Sequence, residues 1–217
     1  MNPMELCERI AALKSSLPGH VTLVAVTKTH PVATCAETVG CGQWDLGENR
    51  VQELVEKAEV LGPEVRWHQI GHLQTNKVKY IAPFVHLIHA VDSGRLLEEI
   101  DRHAAKNGRV QDVLLQVHIA AEEQKFGWAP DALPAALDAG LAERFSHVRV
   151  RGLMGMATFT EDWGQVAREF SGLRKLYEAG SGMWDTLSMG MSGDWQVAVD
   201  AGSTMIRVGS SLYGARG

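Results

Sequence analysis

Three places in the 217-residue sequence carry side chains whose types and spacing could do chemistry. The first is Lys28, which closes the run VTLVAVTK at 21–28. Val21, Leu23, Val24, Ala25 and Val26 read as a strand of a parallel sheet, buried on both faces. An ammonium at the carboxyl end of such a strand sits where βα loops build sites. Apolar surroundings there lower its pKa and free an amine nucleophile for a carbonyl compound. A lysine at that place can equally leave the sheet and snorkel to water, and from this strand alone that is the simpler reading. The second place is a pair of small-residue turns, Gly190-Met191-Ser192-Gly193 and Gly209-Ser210-Ser211. Backbone amides and small hydroxyls in the loops after the last two strands of a barrel bind phosphate, although each turn alone is also explained by backbone geometry. The third is Arg207, two residues before Gly209 and within an apolar strand. A guanidinium there needs a partner, and a ligand and a structural carboxylate are equal candidates.

The elements that must position these residues alternate along the chain. Strands are expected at 21–28, 44–47, 65–70, 85–91, 112–120, 148–157, 186–191 and 205–208, each followed by a helical pattern. Asp92 and Ser93 are placed to cap the helix that carries Leu96, Leu97 and Ile100. Asp162 with Gln165 resembles a capping box, ahead of an inward stripe of Trp163, Val166, Ala167, Phe170, Leu173 and Tyr177. One further helix precedes the first strand: Asn2 caps it, Pro3 suits its first turn, Glu5 completes the box, and Leu6, Ile10, Leu13 and Leu17 share a face. Eight βα units with an extra N-terminal helix are the grammar of a single-domain (β/α)8 barrel over residues 1–217. A doubly wound open sheet is the alternative, but its Gly-rich turn after the first strand is replaced here by Lys28, Thr29 and His30.

In a barrel the residues after each strand converge on one rim. A lysine after the first strand, a phosphate cradle after the last two and an inward arginine describe a ligand with an aldehyde, a phosphate and a hydrogen-bonding ring atom. Pyridoxal 5′-phosphate has all three. Other polar residues carry less. His68 and His72 span a strand end and so do not form the two-histidine face of a zinc helix, and a packed or rim role suits them. Strand alternation is expected to separate His86 from His89, and Glu122 and Glu123 are expected to face water. Cys7, Cys35 and Cys41 lack a metal-binding spacing and fit reduced structural thiols.

Composition narrows the class. Hydrophobic content of 45% with 22% charged residues is that of a globular protein, and no apolar run reaches membrane-span length. A net charge of −5 with scattered Lys and Arg gives no basic stripe for nucleic acid. The N-terminus reads as a helix rather than a signal peptide, so a cytoplasmic location is expected. No long apolar helix face advertises a partner, and a monomer is expected.

The segments AVTKTHP with Lys28, LGENRVQE with Glu48 and Asn49, WHQIGHLQTNK at 67–77, and LSMGMSGDWQVAVDAGSTMIRVGSSLYGAR at 187–216 together closely resemble the pyridoxal phosphate homeostasis protein family (YggS/PROSC). These proteins are single-domain relatives of the alanine racemase barrel. The resemblance implies that Lys28 holds the cofactor as a Schiff base and that Arg207 faces the pyridine nitrogen. It implies further that Ser188 or Ser192, with Gly209 and Ser210, holds the phosphate, and that Asn49 and His68 lie near the ring. Some relatives differ at the His72 position and have threonine at Ser210, so His72 is given no role, and a serine can still bind phosphate at 210.

Arginine only donates, so a ring nitrogen facing Arg207 is held unprotonated and is a poor electron sink. Racemisation by the related barrel enzyme also needs an acid/base from a second domain, and this sequence ends at Gly217, straight after the eighth βα unit. The expected function is therefore a carrier that buffers pyridoxal phosphate and supplies it to apoenzymes, rather than an enzyme. The alternatives are a pyridoxal phosphate-dependent amino-acid racemase and an interaction protein that reports cofactor status to a partner.

Overall fold

The structure, a computed structural model, describes residues 3–122, 126–141, 143–180, 182 and 184–214. Eight parallel strands close into a barrel in sequence order: β1 (Thr22–Val26), β2 (Asp45–Glu48), β3 (Arg66–Gln69), β4 (Leu87–Val91), β5 (Gln111–Val117), β6 (Val148–Gly155), β7 (Thr186–Ser188) and β8 (Met205–Val208). β8 pairs back onto β1 with Val24 beside Arg207, which closes the ring. The (β/α)8 barrel expected from sequence is the fold, and the open-sheet alternative is excluded.

Helices α1 (Pro3–Ser16), α2 (Val32–Gly40), α3 (Val51–Leu61), α4 (Val78–Ile81), α5 (Gly94–Lys106), α6 (Ala132–Asp138), α7 (Trp163–Ala179), α8 (Trp195–Asp200) and α9 (Ser210–Tyr213) surround it. Strand residues facing outward, such as Ala25, Leu46, Trp67 and Leu153, pack with helix residues such as Leu54, Leu97 and Phe170 in one continuous apolar layer. That layer removes the helices' apolar faces from water, at about 25 cal/mol per Å² buried. A second, small apolar cluster of Val24, Leu87, Ala90, Leu114, Met154 and Met205 fills part of the barrel interior. The rest of the interior is polar: Asp45, His68, His89, Ser188 and Arg207 are all buried. No described helix is long and apolar enough to cross a membrane.

Caps form where short polar side chains precede the apolar stripe. Ser93 Oγ accepts from the Leu96 amide at 3.4 Å, and Asp162 Oδ1 from the Gln165 amide at 3.0 Å. The box at α7 is not completed, because the Asp162 amide donates to Thr160 Oγ1 at 3.1 Å, while Gln165 Nε2 donates to Thr158 and Glu169. Trp163 is likewise half exposed rather than inward, while Val166, Phe170 and Leu173 hold the core. The expected caps by Asn2 and the exposure of Glu123 fall outside the described residues. Glu122 does not simply face water: its Oε1 accepts from the Phe159 amide at 3.2 Å.

The expectation of three reduced thiols is corrected. Cys35 is free and buried, but Cys7 on α1 is bonded to Cys41 after α2, with their Cα atoms 5.0 Å apart. Packing of α1 against α2 brings together two cysteines that lie 34 residues apart.

Candidate functional site

The strand ends deliver their polar residues to one mouth. Lys28, Asn49, Ser192, Arg207, Gly209 and Ser210 all line a single cavity of about 470 Å³ at the carboxyl ends of the strands. These are six of the eight residues expected from sequence. The other two, His68 and Ser188, are fully buried beneath it and are not part of its wall. Ser188 is the last residue of β7, whereas the expected strand ran on to 191, so residues 190–193 are loop and, of the two serines, Ser192 reaches the rim.

Lys28 follows β1 immediately and is set by what lies behind it. Thr27 is fully buried; its hydroxyl donates to Glu48 Oε1 at 2.5 Å, and its carbonyl accepts from Lys57 Nζ at 2.9 Å. Lys57 Nζ also donates to Glu48 Oε1 at 2.7 Å and lies 3.6 Å from Glu53 Oε2. Burial pushes the Glu48 carboxyl above its usual range, with the hydrogen bonds from Lys57 and Thr27 pulling against it. On the other side of Lys28, Thr29 takes a left-handed backbone, φ 67°, and its amide donates to Glu53 Oε2 at 2.8 Å. A β-branched residue in that region is strained by about 1–3 kcal/mol, so the turn after Lys28 is held by its surroundings. Sequence reading quoted Glu48 only as part of a motif and missed Lys57; their spacing of nine, from strand end to second helical turn, was the available signal.

Asn49 is placed by a close approach. Its carbonyl accepts from Gln69 Nε2 at 3.0 Å, and a Cβ on Gly71 would fall 2.6 Å from the same oxygen. Glycine is therefore required where β3 leaves the barrel beside Asn49.

The turns after β7 and β8 interlock. Ser192 Oγ accepts from the amides of Gly209 at 3.1 Å and Ser211 at 3.4 Å, and Ser211 Oγ donates to the Ser192 carbonyl at 3.3 Å. Asp194 Oδ1 accepts from the Met191 amide at 2.6 Å, and burial pushes its carboxyl up. Gly190 has φ 97°, and a Cβ there would lie 2.7 Å from Ala198 Cβ, so the first turn also needs glycine.

Arg207 enters the cavity floor from β8 with 4% of its surface exposed. Its hydrogen bonds go to neutral oxygens, Ser188 Oγ at 2.5 Å and Gly155 O at 3.0 Å. Burial pulls its guanidinium down to about 10, with Asp194 opposing, and it stays charged at neutral pH. Of the two partners open at the sequence level, no carboxylate forms a salt bridge with it among the described residues.

The far wall, from the ends of β5 and β6, their loops and the start of α7, carries Phe126, Met156, Phe159 and Trp163 beside Gln116, Thr158 and Thr160. His72 stands at this rim, its ring stacked 3.7 Å from that of Phe126 and its Nδ1 3.1 Å from Asp92 Oδ2. The separation expected between His86 and His89 is corrected. Both rings flank His68, at 5.5 and 5.2 Å: His86 precedes β4, so strand alternation does not govern it, and β4 is the direct neighbour of β3.

Comparison with known proteins matches this architecture. The family described as "Alanine racemase, N-terminal domain" matches residues 2–217. The pyridoxal phosphate homeostasis protein of Aquifex aeolicus is 40% identical over 199 residues, covering 89% of this chain and 86% of that one. The protein of the same name from Deinococcus radiodurans is 42% identical over 197 residues, with 90% of each chain covered. The chain belongs to the pyridoxal phosphate homeostasis protein family. Among solved structures, PipY of Synechococcus elongatus without PLP superposes with a TM-score of 0.89 at 38% identity, over 96% of this chain and 100% of that one. The same protein with PLP bound gives 0.88 at 37% identity. The barrel is thus shared with these related structures over nearly the whole chain.

Proposed function

We propose that this chain binds pyridoxal 5′-phosphate in the upper cavity and holds it covalently and reversibly through Lys28. The observation that carries the reading is the convergence of Lys28, Arg207 and the Ser192, Gly209 and Ser210 turns on one cavity. The donor set fits the group. Two backbone amides, of Gly209 and Ser211, point at a single oxygen acceptor, as they would at a phosphate oxygen at a helix start. A buried guanidinium bonded only to neutral oxygens keeps N–H capacity for a ring nitrogen. Support for the reading also comes from a related protein whose structure is described with PLP bound.

When bound, the group supplies an electrophilic aldehyde carbon and an electron-withdrawing ring. Lys28 Nζ is the nucleophile toward that carbon, and the Thr27–Glu48–Lys57 network fixes the strand end that presents it. Ser192, Gly209 and Ser210 would hold the phosphate, and Asn49 would hold the ring. Arg207 would donate to the ring nitrogen and keep it unprotonated, which would weaken the ring as an electron sink. Racemisation would also require a free acid/base opposite Lys28. Among the described lining residues the titratable candidates are His72 and Asp194, engaged with Asp92 and with the Met191 amide respectively. The chain therefore acts as a store of the cofactor, a cytoplasmic monomer that buffers a reactive aldehyde and passes it to pyridoxal phosphate-dependent apoenzymes.

Purified protein given pyridoxal phosphate is expected to gain visible absorbance that Lys28→Ala abolishes; protein that takes up no cofactor contradicts the reading. Chiral analysis of alanine and serine incubated with the loaded protein is expected to show no inversion. Robust turnover would replace the store by a racemase.

A further inference from the structure

Below the cavity, a file of buried side chains runs through the barrel from its opposite end to Arg207, and none of the roles above uses it. Asp45 Oδ1 lies 3.1 Å from His68 Nε2, His68 Nδ1 lies 2.9 Å from His89 Nε2, and His89 Nδ1 lies 3.1 Å from Ser188 Oγ. Arg207 Nη1 donates to that same Ser188 Oγ. His68, His89 and Ser188 are fully buried. Asp45 and His68 line a separate cavity of about 460 Å³ at the lower mouth, where Arg66 donates to both Asp45 oxygens at 2.8 and 2.6 Å.

With both imidazoles neutral, the two ends fix the direction of every link. Asp45, a carboxylate bonded to Arg66, can only accept, so His68 carries a proton on Nε2. A neutral His68 then accepts at Nδ1, which requires His89 to donate from Nε2 and accept at Nδ1. That acceptor takes the one proton of Ser188, whose oxygen is turned to Arg207, a group that can only donate. One assignment of neutral rings satisfies all the links, whereas a charged His68 would reverse the two links beyond it. Burial holds His89 well below its usual range, and His68 and Arg207 add to the effect, consistent with a neutral His89 ring. The other charged or titratable groups around the two rings are Arg66, His86 and Asp112.

We propose that Asp45, His68, His89 and Ser188 are positioning residues for Arg207. Through this one-directional file the carboxylate at the lower mouth locks the guanidinium and sets how firmly the cofactor's ring nitrogen is held in the upper cavity. The proposal rests on the cofactor reading above. It also accounts for the burial of Ser188 and His68 beneath the site that the resemblance assigned them to.

The test has one arm without cofactor. Protein labelled with ¹⁵N-histidine is expected to show His68 and His89 neutral at pH 7.5, both protonated on Nε2, with Ser188→Ala moving the His89 Nδ1 signal. A cationic ring, or a proton on His89 Nδ1, overturns the file. With cofactor loaded, Ser188→Ala and His89→Phe are each expected to release it roughly tenfold faster and to shift its visible absorption maximum. Ser188→Thr is expected to restore both, and the double variant to be no worse than the poorer single one. Additive effects, or wild-type release and spectrum in folded single variants, overturn the proposal. Circular dichroism shows which variants fold. Asp45→Asn, which keeps an oxygen acceptor but no charge, gives a smaller acceleration and keeps the test decisive if His89→Phe does not fold; wild-type release and spectrum in it would likewise overturn the proposal. Wild-type protein that takes up no cofactor would sink the functional reading, while the histidine signals would still decide the file.

Discussion

Lys57→Met isolates the buried charge that stands behind Lys28. Lys57 and Glu48 have side chains 5% and 0% exposed, and Glu48 Oε2 has no hydrogen-bond partner, so the carboxylate depends on the ammonium 2.7 Å from its Oε1. Removing one partner of such a pair costs about 3–5 kcal/mol, because the other charge stays buried and uncompensated. A second route gives the same size. The cheapest relief is for Glu48 to take a proton, and neutralising a carboxyl of ordinary pKa about 4.3 at pH 7 costs about 3.7 kcal/mol, but only about 1 kcal/mol at pH 5. The sign follows. Burial already raises the folded pKa of Glu48, and loss of the ammonium raises it further, so the variant loses the most stability relative to wild type as pH rises past the wild-type folded value. The variant is thus expected to be less stable than wild type by about 4 kcal/mol at pH 7, roughly 10 °C in Tm for a chain of this size, with the deficit shrinking toward pH 5. Urea denaturation followed by circular dichroism at both pH values measures it, and Glu48→Gln with Lys57→Met is expected to recover most of the loss. A deficit under about 1 kcal/mol at pH 7, or one equal at both pH values, would refute the claim that a dry ion pair supports the Lys28 strand end.

Three further outcomes follow from the geometry. Ser192→Ala is expected to weaken pyridoxal phosphate binding roughly tenfold or more while leaving pyridoxal, which lacks the phosphate, unaffected in the same titration. Gly71→Ala places a methyl 2.6 Å from the Asn49 carbonyl; it should cost about 1–3 kcal/mol in denaturant unfolding and lower cofactor affinity, since Asn49 must move. Reducing the Cys7–Cys41 bond, which closes a 34-residue loop, is expected to lower stability by roughly 3–4 kcal/mol, read as a shift in urea midpoint with and without dithiothreitol, and absent in Cys41→Ser.

The barrel was legible in the sequence because β1, β4 and β5 are buried on both faces and read as largely apolar runs, and because the helices between the strands carry clear stripes. The strand ends were drawn too long. Thr27 and Met189 are still fully buried one residue past the strand ends at Val26 and Ser188, so burial alone overstates strand length. Lys28, Arg207 and the two glycine turns could be placed because strand order in a barrel alone puts them on one rim. What could not be read was any relation between strands. Whether Ser188 or Ser192 faces the cavity depends on where β7 ends, and the meeting of His68 with His89 depends on the β3–β4 register. The bond between Cys7 and Cys41 depends in the same way on how α1 lies against α2. Local pattern carries faces and order, and these features are set by neighbours distant in sequence.

The central claim concerns one covalent bond, and borohydride reduction tests it most directly. Protein loaded with pyridoxal phosphate, reduced and digested, is expected to carry the cofactor's added mass on the peptide containing Lys28 and at that residue alone. Modification spread over surface lysines, or confined to a lysine remote from Arg207 and Ser192, would contradict the account.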